Sequence, residues 1–307
     1  MDAQAHAKLV QNKLEEAKPL IKLFGLDYDG TVSDADHKQP QVFDLVEKIL
    51  AKEKFVAFIT ARAATAVKFI VPPLQELLVK KNPSVPSFVA GGNGTTLYEV
   101  KKDELVEIYS HGFDLLQVKR ASEVGRKVYE KLGVGEADLV EKGLKTFRQF
   151  LEESWEGYIP DEIVDICRPY NGEFFTEQAK VTFVLPKDKT LHAKVVAELN
   201  RGLGNMYRAV ASDDIYVHIS GRLGEDGKKM AVKTVLNYLG LESNQVATFG
   251  DMPVDNDAGL LSFPYSFTNS DDFVNIKTEM EKPPYILLDA GLSPVDRVYK
   301  AIDYLIS

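Results

Sequence analysis

The stretch Leu23-Phe24-Gly25-Leu26-Asp27-Tyr28-Asp29-Gly30-Thr31-Val32 decides the reading of this chain, because an apolar run ends abruptly in two aspartates, a glycine and a threonine. A short apolar run bounded by a turn signal reads as a buried strand of a parallel sheet. Such strands present ligands and chemistry at their carboxyl ends. Two carboxylates at that edge are costly unless a cation or a reaction uses them. The plainer alternative is an Asp-Gly turn closing a hairpin, with the aspartates capping it.

Working outward, residues 41–52 place Val42, Leu45, Val46, Ile49 and Leu50 at helical spacing, and residues 55–60 form a second apolar strand. Residues 64–71 and 74–80 read as helical again, and Pro72-Pro73 predicts a break between them. A third strand at 87–90 ends in Gly91-Gly92-Asn93-Gly94. This alternation predicts a parallel sheet with right-handed crossovers. Residues 95–100 and 104–109 then read as a β-hairpin leaving that sheet.

From 111 to 212 the pattern changes to an α+β unit. Helical stretches at 113–131 and 139–153 lead to a Pro/Gly/Asn-rich passage at 158–172, a strand at 180–185, a helix at 190–203 and strands at 207–211 and 215–220. The βα rhythm then resumes: helix 228–239, strand 246–249, a helix near Ala258, strand 285–288 and a closing helix at 294–305. The expected organisation is therefore an interrupted core, 1–110 and 213–307, flanking an inserted domain at 111–212.

Composition narrows the function. The 307 residues are 45% hydrophobic, enough for two globular domains. The net charge of −9 gives no basic footprint for nucleic acid, so an anionic substrate must be met by a local cation. A small phosphorylated molecule held by a metal fits that charge better than DNA or RNA. Cys167 is the only cysteine, which excludes an intrachain disulfide and makes a reducing cytoplasm the expected compartment. No apolar run reaches the roughly 18 residues of a membrane span, and no membrane partner is expected. Residues 2–22 read as a short amphipathic helix packed on the body, without a signal-peptide core.

Three further motifs follow at strand ends or a helix start. Ile59-Thr60-Ala61-Arg62 ends a strand in a hydroxyl and a guanidinium, where a helix-capping threonine is the plainer alternative. Lys228, in Gly227-Lys228-Lys229-Met230-Ala231-Val232, opens a helix, where the dipole disfavours positive charge unless something negative stands near. Phe249-Gly250-Asp251-Met252-Pro253-Val254-Asp255 runs another apolar strand into two carboxylates, and it could alone be a capped turn.

In this order the four motifs resemble those of the haloacid dehalogenase-like (HAD) phosphohydrolase superfamily: Asp27 and Asp29, then Thr60, Lys228, and Asp251 with Asp255. The chain is similar, more narrowly, to the Cof-type or sucrose-phosphatase-like branch. Asn93-Gly94, the pair Lys228 and Ala231, and Phe267-Thr268-Asn269-Ser270 support that assignment. Two departures stand out: Thr60-Ala61-Arg62 where the branch commonly has Thr-Gly-Arg, and Val254-Asp255 where it has Asn-Asp. The resemblance implies an α/β fold, a HAD-like Rossmannoid three-layer parallel-sheet core with an inserted α+β cap of the C2 type.

It also implies roles. Asp27 is the nucleophile that forms an aspartyl-phosphate, and Asp29 is the general acid and base. Mg²⁺ is held by Asp27, the backbone carbonyl of Asp29 and Asp251, with Asp255 orienting a metal-bound water. Thr60, the amides at Gly30 and Thr31, and Lys228 hold the phosphoryl group, while Arg62 and Asn93 are substrate-binding. Residue chemistry agrees: an ordinary aspartate is ionised at neutral pH, and its approach to a phosphate dianion calls for a divalent cation between them. The expected function is a Mg²⁺-dependent phosphatase for a small phosphorylated metabolite, a sugar phosphate foremost. The alternatives are a phosphomutase of similar fold and a silent phospho-ligand-binding regulator. Lys180, Arg208, His218 and Arg222, and the aromatics Tyr158, Tyr170, Phe174 and Phe175, are unranked candidates for choosing the leaving group.

Overall fold

The computed structural model describes residues 3–34, 39–61, 64–111, 115–133, 174–177, 180–185, 188–205, 207–212, 216–221, 227–254, 256–271, 276, 280, 282–289 and 291–307. Two compact units divide the chain: Met1–Arg62, Ala66–Ser110 and Asp226–Ser307 in one, Ala63–Thr65 and His111–Glu225 in the other.

The first unit is built on an eight-stranded sheet. Its strands are β1 (Leu23–Leu26), β2 (Phe55–Ile59), β3 (Ser87–Gly91), β4 (Thr96–Val100), β5 (Leu105–Ser110), β10 (Val246–Gly250), β11 (Tyr265–Thr268) and β12 (Tyr285–Ile286). The order is β12-β11-β10-β1-β2-β3-β4-β5, parallel from β12 to β3 and antiparallel beyond. Every residue of β1, β3 and β10 is buried, as a sheet covered on both faces requires.

Side chains alternate between two apolar layers. Phe24, Leu26, Val56, Phe58 and Phe249 face α1 (Ala3–Ala17), α2 (Gln39–Leu50), α3 (Ala64–Lys81) and the closing helix (Pro294–Ile306). Leu23, Ala57, Ile59 and Phe88 face the helix Gly227–Leu239 through Ala231, Val232, Val235 and Leu236. The amphipathic segment at the start of the chain is α1, which buries Val10, Leu14 and Ala17.

Register fixes where the polar strand ends emerge. Leu26 lies opposite both Phe249 and Phe58, and the three strands are parallel. Asp27, Asp251 and Thr60 therefore leave the sheet at one carboxyl edge.

Several expectations need correction. Pro72 and Pro73 do not break the chain: α3 runs through both, because Ile70, Val71, Leu74, Leu77 and Leu78 bury one continuous face across them. The 95–109 hairpin does not leave the sheet but extends it, Phe88 lying opposite Glu99 and Tyr98 opposite Glu107. In place of a helix near Ala258 there is a turn and a 3₁₀ segment, Leu260–Ser262. Strand β11 was not foreseen; it has four residues directly after Pro264, too short for a periodic signal.

The second unit contains α4 (Leu115–Leu132), α5 (Lys189–Leu203) and a four-stranded antiparallel sheet in the order β6-β7-β9-β8. The strands are β6 (Phe174–Glu177), β7 (Lys180–Val184), β8 (Tyr207–Ser212) and β9 (Tyr216–Gly221). Its carboxyl boundary is Glu225 and not 212, because β9 is hydrogen-bonded between β7 and β8 and is integral to the sheet. Asp188 caps α5, accepting from the Thr190 and Leu191 amides. The expected helix at 139–153, the 158–172 passage with Tyr158 and Tyr170, and Arg222 lie outside the described residues. With α6 (Gly227–Leu239) and α7 (Pro294–Ile306) the chain completes the first unit. Among the described residues no helix is long and apolar enough to cross a membrane.

Candidate active site at the carboxyl edge of the sheet

The buried end of β1 carries an ammonium between two carboxylates. Lys228 Nζ donates to Asp27 Oδ1 at 2.6 Å and to Asp257 Oδ1 at 2.6 Å, and all three side chains are buried. The other Asp257 oxygen accepts from the Asp251 and Met252 amides, at 3.0 Å each. Asp257 thereby fixes both the lysine and the turn that presents Asp251. The Thr31 hydroxyl stands 3.2 Å from Asp251 Oδ1 and 3.5 Å from Asp27 Oδ2. Asp27, Asp251 and Asp257 each offer a carboxylate oxygen, all within 4.8 Å of one another.

Close backbone approach shapes this corner. Gly30 has φ +73°, and a Cβ built on it would overlap the Asp251 carboxylate. A Cβ on Gly250 would come 2.7 Å from Asp257 Cγ. The Asn269 side-chain amide donates to the Gly30 carbonyl at 2.9 Å, which pins the loop after β1. Thr60 is buried at the end of β2, and its carbonyl accepts from the Asn93 amide at 3.0 Å.

Three carboxylates around one ammonium leave a charge excess in a dry place. Burial above all, then the neighbouring Asp257 and Asp251 charges, push the Asp27 carboxyl well above its ordinary value against the pull of Lys228. Burial and the Asp257 charge push Asp251 up to about 7. Burial works against the charge on Lys228, but Asp257 and Asp27 together hold its proton more firmly than in water. The expectation that Asp27 ionises like an ordinary aspartate thus fails for the protein without a cation. Fully ionised, the group would carry two excess negative charges, and that surplus, the oxygens within reach of one another and the hard-oxygen donor set are what a divalent cation such as Mg²⁺ fits.

The structure brings together Asp27, Gly30, Thr31, Lys228 and Asp251 among the expected residues. The Asp29 side chain is exposed and stands outside the carboxylate group. Thr60 and Asn93 share one edge with Asp27, joined to each other through the backbone. Arg62 and Asp255 lie outside the described residues. The residue missed is Asp257. Its signal was present: Asn256-Asp257 is the Asn-Asp pair that Val254-Asp255 lacks, displaced by two residues.

The mostly parallel sheet thus gathers an aspartate, a buried lysine and two further carboxylates at its carboxyl edge. The family described as haloacid dehalogenase-like hydrolase matches residues 24–264, and the chain belongs to it. Solved structures share the fold. A haloacid dehalogenase-like hydrolase from Bacteroides thetaiotaomicron is 17% identical, with 92% of this chain and 98% of that one covered at a TM-score of 0.61. A HAD/COF-like hydrolase from Plasmodium vivax is 20% identical, with 96% and 98% covered at 0.60. The IMP-bound, N-terminally truncated IMP-nucleotidase of Plasmodium falciparum is 12% identical, with 98% and 72% covered at 0.58. No curated protein matches the sequence.

Proposed function

We propose that this hydrolase is a Mg²⁺-dependent phosphatase that cleaves a small phosphorylated metabolite, a sugar phosphate foremost, through an aspartyl-phosphate on Asp27, and that it works in the cytoplasm. The observation that carries the reading is Lys228, a buried ammonium held at 2.6 Å from Asp27 beside two more carboxylates at a sheet edge. A structural ion pair needs one carboxylate, whereas a surplus of carboxylates around one ammonium calls for a further cation, and a phosphate dianion can approach a carboxylate only where such a cation stands between them.

In this reading an Asp27 oxygen attacks phosphorus, forming the acyl-phosphate bond as the ester P–O bond breaks. Asp29 delivers a proton to the leaving alkoxide. Asp29 then takes a proton from the water that attacks phosphorus, releasing phosphate and restoring Asp27. Lys228 neutralises Asp27 and an incoming phosphoryl oxygen, while Asp257 and Thr31 hold Lys228 and Asp251 in place. Asp27 and Asp251 would hold Mg²⁺, which when bound supplies positive charge against the repulsion between nucleophile and phosphate. The second unit is the proposed cap that selects the leaving group, and neither nucleic acid nor a membrane is a partner.

Phosphate release from sugar phosphates, nucleoside monophosphates and p-nitrophenyl phosphate, each with Mg²⁺, with EDTA and with Ca²⁺, tests the reading. IMP belongs in the panel because a Plasmodium falciparum protein of the same fold is an IMP-nucleotidase. Mg²⁺ restores the chelated enzyme and Ca²⁺ does so poorly, since its looser coordination misplaces nucleophile and phosphate. Full activity after exhaustive chelation removes the metal from the reading. Conversion of a hexose 1-phosphate to its isomer, without phosphate release, identifies a phosphomutase instead.

A further inference from the structure

The Asn93-Gly94 turn holds the carboxyl end of β3 against the start of α6. Asn93 and Gly94 both take left-handed backbone angles, φ +58° and +82°. The turn and the helix meet without side chains between them: a Cβ on Gly94 would overlap the Gly227 carbonyl, and a Cβ on Gly227 would overlap the Asn93 carbonyl. Gly227 directly precedes Lys228, so the turn sets where the first residue of α6 stands. On its far side the turn is held by β5, whose Tyr109 hydroxyl donates to the Gly94 carbonyl at 2.8 Å.

We propose that Tyr109 is a positioning residue for Lys228. Its hydroxyl fixes the Gly94 carbonyl, Gly94 seats Gly227, and Gly227 sets the height at which the Lys228 ammonium stands between Asp27 and Asp257. The inference rests on the role given to Lys228 in the phosphatase reading. Burial raises the Tyr109 hydroxyl above its ordinary acidity range, so it remains a donor wherever the enzyme would be assayed. Tyr109 lies two residues before the chain enters the second unit at His111, and Gly227 lies two residues after it leaves at Glu225. The contact therefore ties both crossing points together on the first unit's side.

The aromatic ring of Tyr109 packs beside the Phe88 and Leu97 layer, so packing alone could account for the residue. Tyr109→Phe separates the two roles, because the ring stays and only the hydroxyl goes. The control is Tyr238→Phe, which removes the hydroxyl bond to Glu99 (3.0 Å) at the other end of the same helix. With p-nitrophenyl phosphate, Tyr109→Phe is expected to lower kcat about tenfold with KM within about twofold, the pattern of a displaced reacting group. Its thermal midpoint stays near that of the parent, and amide hydrogen exchange quickens at 92–95 and 227–232. Tyr238→Phe leaves kcat and exchange unchanged. Unchanged kcat and exchange in Tyr109→Phe overturn the proposal, and so does an equal loss in Tyr238→Phe. If the parent enzyme releases no phosphate from any ester, the phosphatase reading falls, and the exchange measurement alone decides the positioning claim.

Discussion

Lys228 and Lys101 each meet a carboxylate at nearly the same distance, 2.6 Å to Asp27 and 2.8 Å to Glu104, yet the two pairs do different work. Lys228 is 3% exposed and has two carboxylate partners at the carboxyl edge of a parallel sheet. Lys101 is 44% exposed and pairs with Glu104 in the turn between β4 and β5. Distance is therefore a poor guide to what an ion pair contributes. In water the charges are solvated whether or not they meet, whereas in the dry corner beside β1 each charge depends on its neighbours.

The comparison breaks most visibly at Asp27, the proposed nucleophile. Asp27→Asn retains an oxygen for Lys228 but removes the carboxylate proposed to attack phosphorus, so phosphate release is expected to fall by more than about 10⁴-fold while circular dichroism shows a folded protein. Retained turnover removes the covalent route. Asp29→Asn, outside the buried group, costs about 10²-fold, the usual scale for an acid–base group. A loss that shifts only KM would place Asp29 in binding.

Lys228→Met tests burial directly. It leaves three carboxylates without their ammonium and is expected to cost about 3–5 kcal/mol in chemical unfolding at neutral pH. Added Mg²⁺ recovers part of that loss, because the same oxygens then face a cation. A cost no larger than that of a surface substitution would mean that the carboxylates simply stay protonated.

The pH response sharpens the same point. In cation-free protein Asp251 is raised from 3.8 to about 7. Between those values the unfolded chain has released this proton while the folded chain still holds it. Stability therefore falls as pH rises through that window and levels off above it. Asp27 moves in the same direction. Urea unfolding at pH 5, 6 and 7 should show the decline, and Asp251→Asn should flatten it. Mg²⁺ should raise the thermal midpoint more at pH 7.5 than at pH 5, since it needs ionised oxygens. A flat profile in cation-free protein contradicts the charge excess assigned to this site.

The sheet was readable because its strands bury both faces: Phe55-Val56-Ala57-Phe58-Ile59 and Val246-Ala247-Thr248-Phe249 are near-continuous apolar runs. Asp27 and Lys228 stood out because both break a local rule, carboxylates at a strand end and a cation at a helix start. Asp257 was missed for a different reason: its partners are an ammonium and two amides brought together by the turn after β10, and the spacing from Asp251 to Asn256-Asp257 departs from the familiar one. Asn269 and Tyr109 act on backbone carbonyls, Gly30 and Gly94, which carry no residue-type signal at all. The prolines of α3 point to a break by local propensity, but five buried apolar residues hold the helix to the sheet across them.

The smallest effect is expected at the other member of the comparison. Lys101→Met removes the 2.8 Å pair with Glu104 without burying or exposing a charge, because both side chains already face water. Glu104 regains solvent where it loses the ammonium, and the turn keeps the Lys101 amide bond to the Glu104 carbonyl at 3.0 Å, which does not involve the side chain. The thermal midpoint and phosphate release should both match the parent protein, at low and at high salt. A destabilisation approaching that of Lys228→Met would show that the edge hairpin depends on its charges as the buried corner beside β1 does, and burial would no longer explain the difference between the two lysines.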